Sequence, residues 1–368
     1  MNLSDNAIDT STPMISLDGV RKEYADVIAL DTTDLQVAKG EFMTLLGPSG
    51  SGKTTLLNLI AGMTSPTAGR VVIAGTDVTA TPPAKRGLGM VFQNYALMPH
   101  MTIFQNIAFP LHIRHLPKRE INRRVRDVLE LIQLPHVADR KPKELSGGQQ
   151  QRISLARCIV YNPNIILMDE PLGALDKNLR EQMQIEIKRL HKELGVTILY
   201  VTHDQEEALN MSDRIVLMKG GKIEQLGTTD ELYFDPASVF AADFLGQSTL
   251  IEATVRTEGD PAILEIAGGT RCRVSRGTCT AGTRGTLMFR PEAARLAQPG
   301  EATGDANVVS GELKHTIATG SVVKHYVGLP NGDTVIVQEL ANQHRTRLPI
   351  GIQVTVSWPV EAGLFLNG

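Results

Sequence analysis

The sequence predicts an α/β domain built on a parallel sheet and carrying a helical insertion, followed by a small all-β, barrel-like domain. Three observations predict this. Short apolar runs alternate with longer helical periods as far as about residue 246. Between Ala96 and Leu145 the strand-like runs stop and a helical pattern takes over. Beyond about Ser248, β-branched segments alternate with Gly, Pro, Asn and Asp turns.

The elements follow from local pattern. Met1 to Pro13 is rich in Ser, Thr, Asp and Asn and lacks the basic start and apolar core of a signal peptide, so a frayed tail is expected over residues 1–13. Phe42–Leu46 reads as a buried strand and Thr54–Ala61 as a helix. Ile121, Val125, Val128, Leu129 and Ile132 mark an amphipathic helix inside the insertion. Ile165–Met168 is a second buried strand. Leu179, Met183, Ile187, Leu190 and Leu194 lie on one helical face that Gly195 terminates, and Val196–Val201 is the next strand. Buried strands separated by helices require a parallel sheet covered on both faces. In the last third, Thr286–Phe289, Ser321–Val327, Thr334–Gln338 and Gln353–Trp358 read as strands, with Asn331-Gly332 as a hairpin turn.

Composition limits the function classes. The chain has 368 residues, too many for one ordinary domain. Its net charge of -3 gives no basic field, so no nucleic-acid partner is expected. Cys158, Cys272 and Cys279 show neither metal-ligand spacing nor a disulfide framework. No apolar run reaches the length of about 18 residues that a spanning helix needs, so any work at a membrane requires a partner to hold the chain there.

The chemistry concentrates in three places. Gly47-Pro48-Ser49-Gly50-Ser51-Gly52-Lys53-Thr54 is a phosphate-binding loop between a strand and a helix. Its glycines let backbone N–H groups turn inward, Lys53 places a charge by the β- and γ-phosphates, and Thr54 offers a hydroxyl to Mg²⁺. A chance Gly/Ser turn would lack the flanking strand and helix. Asp169 and Glu170 close the strand from Ile165, pointing opposite ways as adjacent strand residues do. Asp169 suits a Mg²⁺ contact through water, and Glu170 suits the general base that activates water. An Asp-Glu pair alone would be only a solvated strand end. Third, Leu145-Ser146-Gly147-Gly148-Gln149-Gln150-Gln151-Arg152 opens a helix with bare N–H groups and a hydroxyl, a second anion site.

Those eight residues resemble the signature of the ABC ATPase family. The resemblance implies an α/β phosphate-loop NTPase domain of the ABC type, with ATP and Mg²⁺ as its ligands. It implies a head-to-tail homodimer in which each ATP lies between one chain's phosphate loop, including Thr55, and the other's Ser146, Gly147, Gly148 and Gln149. Gln93 matches the Q-loop glutamine, a Mg²⁺ contact. His203 matches the switch histidine that meets the γ-phosphate. Ala174-Leu175-Asp176 matches the D-loop that crosses the dimer interface, and Tyr24, placed before the first strand, matches the aromatic that stacks on adenine.

The resemblance extends over nearly the whole chain. Residues 14–246 look like the nucleotide-binding domain, with its helical part at about 96–160. Residues 247–368 look like a TOBE-type regulatory domain of the importer branch, a match carried by Arg290-Pro291-Glu292 and Gly320–Gly328. The implied partners are integral membrane permease subunits and, indirectly, a periplasmic or extracellular solute-binding protein. The implied location is peripheral, on the cytoplasmic face of the inner membrane. Tyr95, Leu97 and Met98 are expected to line the permease groove. Phe109-Pro110-Leu111 and Thr202–Ile223 lean toward the polyamine importers, with ferric iron or a sugar as alternative cargo. A non-transport ABC ATPase would carry a long coiled-coil insertion or two cassettes, and neither is present. A regulatory binding protein would have no need of both Glu170 and His203.

Overall fold

The computed structural model describes residues 13–266, 268–297, 305–341 and 348–367. Of the expected tail only Pro13 is among them; residues 1–12 lie outside the described residues. The chain forms two compact units that divide between Thr229 and Asp230.

The first unit opens with a hairpin of β1 (Ile15–Tyr24) and β2 (Val27–Val37). Strand β3 (Phe42–Leu46) feeds helix α1 (Lys53–Ala61). Strands β4 (Ala68–Ile73) and β5 (Thr76–Asp77) complete an antiparallel sheet in the order β2-β1-β4-β5. After β6 (Gly89–Val91) come helices α2 (Ile103–Ile113), α3 (Lys118–Leu131) and α4 (Gly147–Ile159). Then follow β7 (Ile165–Asp169), α5 (Lys177–Leu194), β8 (Thr197–Thr202), α6 (Gln205–Met211), β9 (Arg214–Lys219) and β10 (Lys222–Thr228).

The second sheet runs β10-β9-β3-β8-β7-β6. All its pairings are parallel except the β9–β10 hairpin. Every residue of β3 and β8 is buried, as a strand covered on both faces requires. The two faces sort by alternation. Ile166, Met168, Ile198 and Tyr200 join the core that the helical insertion shares, while Ile165, Leu167, Leu199 and Val201 join Leu56, Leu57 and Ile60 of α1 on the other side.

The expected helices form. Ile121, Val125, Val128, Leu129 and Ile132 are all buried against the insertion. On α5, Met183, Ile187 and Leu190 are buried, and Gly195 closes the helix in the left-handed conformation. Leu194, expected on the same face, is 39% exposed because it sits in the last turn.

The second unit begins with two short helices, α7 (Thr229–Phe234) and α8 (Val239–Phe244). Ten strands follow: β11 (Thr249–Thr257), β12 (Ala262–Ile266), β13 (Arg271–Val274), β14 (Arg284–Phe289), β15 (Arg295–Ala297), β16 (Asn307–Thr319), β17 (Val322–Gly328), β18 (Thr334–Leu340), β19 (Gln353–Trp358) and β20 (Leu364–Asn367). They make two five-stranded antiparallel sheets, ordered β13-β12-β11-β14-β20 and β15-β19-β16-β17-β18. The sheets share one core, where Phe289 and Trp358 stack at 4.3 Å. Asn331-Gly332 turns β17 into β18, with Gly332 at positive φ.

The change of composition near residue 246 follows α7 and α8, yet most of these two helices belongs by contact with the β-rich unit. Arg290 is the reason. It is buried, its guanidinium stacks 4.0 Å from the Tyr233 ring centroid, and it donates to the Tyr233, Ala242 and Gly246 carbonyls and the Ser248 hydroxyl. Burial pushes its pKa down, but arginine remains charged. Removing it withdraws a charged donor from these acceptors, and a hydrogen bond to a charged group contributes roughly 1.5–3 kcal/mol. Arg290→Ala is therefore expected to destabilise the β-rich unit by about 3 kcal/mol. Urea denaturation followed by Trp358 fluorescence checks this; an unchanged midpoint would show that the clamp is not needed.

Candidate functional site

The parallel register brings the carboxyl ends of four strands into line. Leu46 pairs with Thr202, Asp169 with Val201 and Val91 with Met168. The next residues of each strand are therefore neighbours: Gly47 after β3, His203 after β8, Glu170 after β7, and Phe92-Gln93 after β6. A ligand crevice at the carboxyl edge of a parallel sheet is the general expectation for such folds.

The loop from Gly47 to Gly52 wraps over this edge. An added Cβ at Gly47 would stand 2.3 Å from the Met218 carbonyl oxygen and one at Gly52 2.8 Å from the Ala29 carbonyl oxygen, so neither position has room for a side chain. Gly52 also caps α1 at φ 101 without any side-chain hydrogen bond, and the first turn carries no acidic residue. The positive helix end is thus uncovered. Lys53 is buried, and its ammonium donates to the Gly47 and Pro48 carbonyls at 2.8 and 2.9 Å. Burial pushes its pKa down, opposed by Glu170 and Asp169. The Ser51 hydroxyl is buried without a hydrogen-bond partner among the described residues. A cradle of glycine backbone, an orphaned hydroxyl and a lysine engaged only by loop carbonyls fits a polyphosphate.

Beside the loop, the Thr54 hydroxyl donates to Asp169 Oδ1 over 3.4 Å. Burial raises the Asp169 pKa, and Glu170 adds to the rise, while Thr54 and Lys53 oppose it. A nearby cation would relieve this cost. Among the described residues, no group of three or more His, Cys, Asp or Glu side chains can hold a metal alone. The oxygens of Thr54 and Asp169, 3.4 Å apart, suit Mg²⁺, which keeps several waters and takes few protein donors beside substrate phosphates.

Glu170 is not the alternating strand residue the sequence suggested. β7 ends at Asp169, and Glu170 turns away at φ 44, its N–H bonded to the Val201 carbonyl. That left-handed turn aims its carboxylate at His203, whose Nδ1 lies 3.2 Å from Glu170 Oε1. The His203 side chain is 60% exposed. Gln93 is exposed, with its Nε2 3.8 Å from where a Cβ on Gly173 would stand, over the turn after Glu170. Tyr24 differs from expectation in place: it closes β1 rather than preceding it, is half exposed, and has the Lys22 ammonium 4.7 Å from its ring centroid.

Ser146 caps α4. Its hydroxyl accepts from Gln149 N at 3.4 Å, and Gln149 Oε1 accepts from Ser146 N at 3.1 Å. Gly148 lets α5 approach, since a Cβ there would stand 2.6 Å from Leu179 Cδ1. Asp176 caps α5 by accepting from Leu179 N at 3.0 Å. The hydrogen bonds of Ser146 and Gln149 stay within this turn, and none reaches the chain's own loop at 47–54.

Two residues that sequence reasoning missed tie α4 to the segment after β6. Tyr95 and Ala96 hold positive φ, and their carbonyls accept from Ser154 and Arg157. The signal was present: a serine and an arginine at helical spacing interrupt the apolar Ile153–Ile159 stretch. Of the three residues expected to line a groove, Tyr95 and Leu97 pack against the insertion's own core. The Met98 backbone is fixed by the buried Asn106.

Comparisons with known proteins agree on one family. The profile of the ABC transporter family matches residues 30–173, and that of the TOBE domain residues 287–366. The spermidine/putrescine import ATP-binding protein of Rubrobacter xylanophilus is 43% identical over 358 residues, 96% of this chain and 94% of that protein. The protein of the same description from Acidothermus cellulolyticus is 44% identical over 360 residues, again 96% and 94%. Among solved structures, a dimeric bacterial ABC transporter cassette aligns at TM-score 0.53 and 36% identity, covering 59% of this chain and 99% of that one. The ADP- and Pi-bound post-hydrolysis form of such a cassette aligns at 0.53 and 35% identity over the same shares.

The unpaired Ser51 hydroxyl makes a test. Ser51→Ala removes a buried orphan costing about 1 kcal/mol, so the ligand-free protein should melt higher while its affinity for ATP falls. Calorimetric melting and equilibrium titration check the two signs; lower stability together with unchanged affinity would contradict the cradle.

Proposed function

The chain belongs to the ABC transporter family, and from that premise we propose that it is the ATP-hydrolysing subunit of a polyamine importer. The observation that carries this reading is the meeting of the phosphate loop, Asp169, Glu170, His203 and Gln93 at one sheet edge. The relatives support the cargo class: those from Rubrobacter and Acidothermus both carry the spermidine/putrescine import description, at 43% and 44% identity.

In this reading the triphosphate enters the cradle of Gly47–Gly52 and draws the Lys53 ammonium off the loop carbonyls. Tyr24, exposed at the end of β1, offers a face to the adenine. Thr54, Asp169 and Gln93 are the residues that would hold Mg²⁺, and the ion would supply positive charge to offset that of the phosphates. Glu170 accepts the proton of the attacking water, and His203 donates a hydrogen bond to the γ-phosphate. The contact with Glu170 is made by Nδ1, so Nε2 of the same ring is the nitrogen that faces the phosphate. Ser146, Gly147, Gly148 and Gln149 of a second chain close the site from the far side. Hydrolysis removes the shared ligand and lets the dimer open, and that motion drives the permease.

The residue ranges take roles accordingly: 14–246 as the cassette, 96–160 as its permease-facing part and 247–368 as the regulatory domain. No helix among the described residues is long and apolar enough to cross a membrane. Attachment at the cytoplasmic face then comes through the permease, with a solute-binding protein delivering cargo from outside.

Glu170→Gln with ATP and Mg²⁺ is expected to give a stable dimer on gel filtration and almost no phosphate release. A chain that stays monomeric or hydrolyses normally would remove the composite site. Ser146→Arg is expected to abolish turnover while ATP binding to the chain's own loop changes less than about twofold, because the substitution lies outside the cradle. Fluorescent-nucleotide titration beside phosphate release separates the two; equal losses would sink the assignment of two faces.

A further inference from the structure

We propose that Arg180 is a positioning residue that ties the D-loop to the switch histidine, so that the segment meeting the twin chain also sets His203 over the γ-phosphate. The proposal rests on the composite-site reading and goes beyond it by naming the connection within one chain.

His203 is poorly held by its own side chain. The imidazole is 60% exposed, and its Nδ1 lies 3.2 Å from Glu170 Oε1. Its position must come from the backbone on either side. Thr202 precedes it, and the Thr202 hydroxyl donates to Glu207 Oε2 at 2.7 Å and accepts from Asp204 N at 3.0 Å. Asp204 follows it and caps α6, its Oδ1 accepting from Glu206 N and Glu207 N at 2.9 and 3.2 Å.

Both flanking anchors lead to one guanidinium. Arg180 Nη1 donates to Asp204 Oδ2 at 2.8 Å, and its Nε lies 3.7 Å from Glu207 Oε1. Glu207 is nearly fully buried and also accepts from the Tyr200 hydroxyl at 2.7 Å. Burial pushes its carboxyl up, and the Tyr200 and Thr202 hydroxyls and then Arg180 favour its charged form. The third arm of Arg180 goes elsewhere: Nη2 donates to the Leu175 carbonyl at 3.2 Å, inside Ala174-Leu175-Asp176. Arg180, His203 and Asp204 line a single cleft of about 520 Å³.

One planar fork thus joins the D-loop to Asp204 directly and, through the ion pair with Glu207, to Thr202. A lysine cannot replace it, because a single ammonium lacks the planar fork that bonds Asp204 and the Leu175 carbonyl at once. A D-loop displaced by its twin pulls on the Leu175 carbonyl and hence on the Asp204 cap. Misplacing a reacting group by about 1 Å costs on the order of 10²-fold in rate, so the connection matters even though Arg180 touches no substrate.

The test uses the full chain. Arg180→Met should lower kcat at least tenfold, with KM and equilibrium ATP affinity changed less than twofold. Arg180→Lys should not restore kcat. Asp204→Asn, which keeps a helix cap but removes the ion pair, should reproduce the loss, and the Arg180→Met/Asp204→Asn double variant should be no worse than the poorer single one. If Arg180→Met does not fold, Asp204→Asn still reads the same connection. Wild-type kcat in either single variant, ATP affinity falling in step with kcat, or additive losses in the double variant would each overturn the assignment. Glu170→Gln run in parallel separates the two levels. If it dimerises while Arg180→Met is fully active, only the Arg180 proposal fails; if it never dimerises, the composite-site reading fails and takes this one with it.

Discussion

The site depends on one constraint, the parallel register of β6, β7, β8 and β3. Because Leu46, Thr202, Asp169 and Val91 are fixed by ladder pairing, the residues that follow them must emerge together. A slip of one residue in β8 would turn Tyr200 and Ile198 from the insertion's core to the α1 side, and would carry His203 away from Glu170. Burial on both faces of β3 and β8 makes such slips costly. Core packing and catalytic geometry are therefore consequences of the same ladder.

On that scaffold the reacting groups need little further support, and most of what they get is backbone. Gly47 and Gly52 are forced by neighbouring carbonyls, Glu170 by its left-handed turn, and His203 by the residues on either side of it. The left-handed turn at Glu170 breaks the strand's alternation where, in the proposed mechanism, two adjacent carboxylates serve separate tasks.

Much of this was legible in the sequence because it lay in contiguous stretches. β3, β7, β8 and α5 could be read from short, largely apolar runs and a single helical face, and the phosphate loop and signature from their own spacing. What was not legible lay between segments. The β1–β2 hairpin escaped notice because Asp18, Arg21, Lys22 and Glu23 and its register shifts erase the two-residue alternation. Tyr24 was misplaced for the same reason. The clamp of Arg290 on α7 and α8, the hold of Arg157 on Ala96 and the fork of Arg180 join residues far apart in the chain. An arginine's partners cannot be read from its neighbours in sequence.

The two helix ends to which the proposed function assigns phosphate binding are built differently, and on that reading the difference argues for an order of events. The end of α1 is uncapped, with a buried lysine and an orphaned hydroxyl beside it, so it gains from an anion at once. The end of α4 already satisfies itself: Ser146 and Gln149 bond reciprocally, although the Ser146 hydroxyl accepts over a long 3.4 Å. A self-capped helix end gains less from a phosphate than a bare one, because its first N–H groups are partly engaged. Nucleotide should therefore settle on the α1 end first, and the α4 end should join only when a second chain presents it to a phosphate already held. On the composite-site reading, closure of the dimer is then a consequence of binding rather than a condition for it.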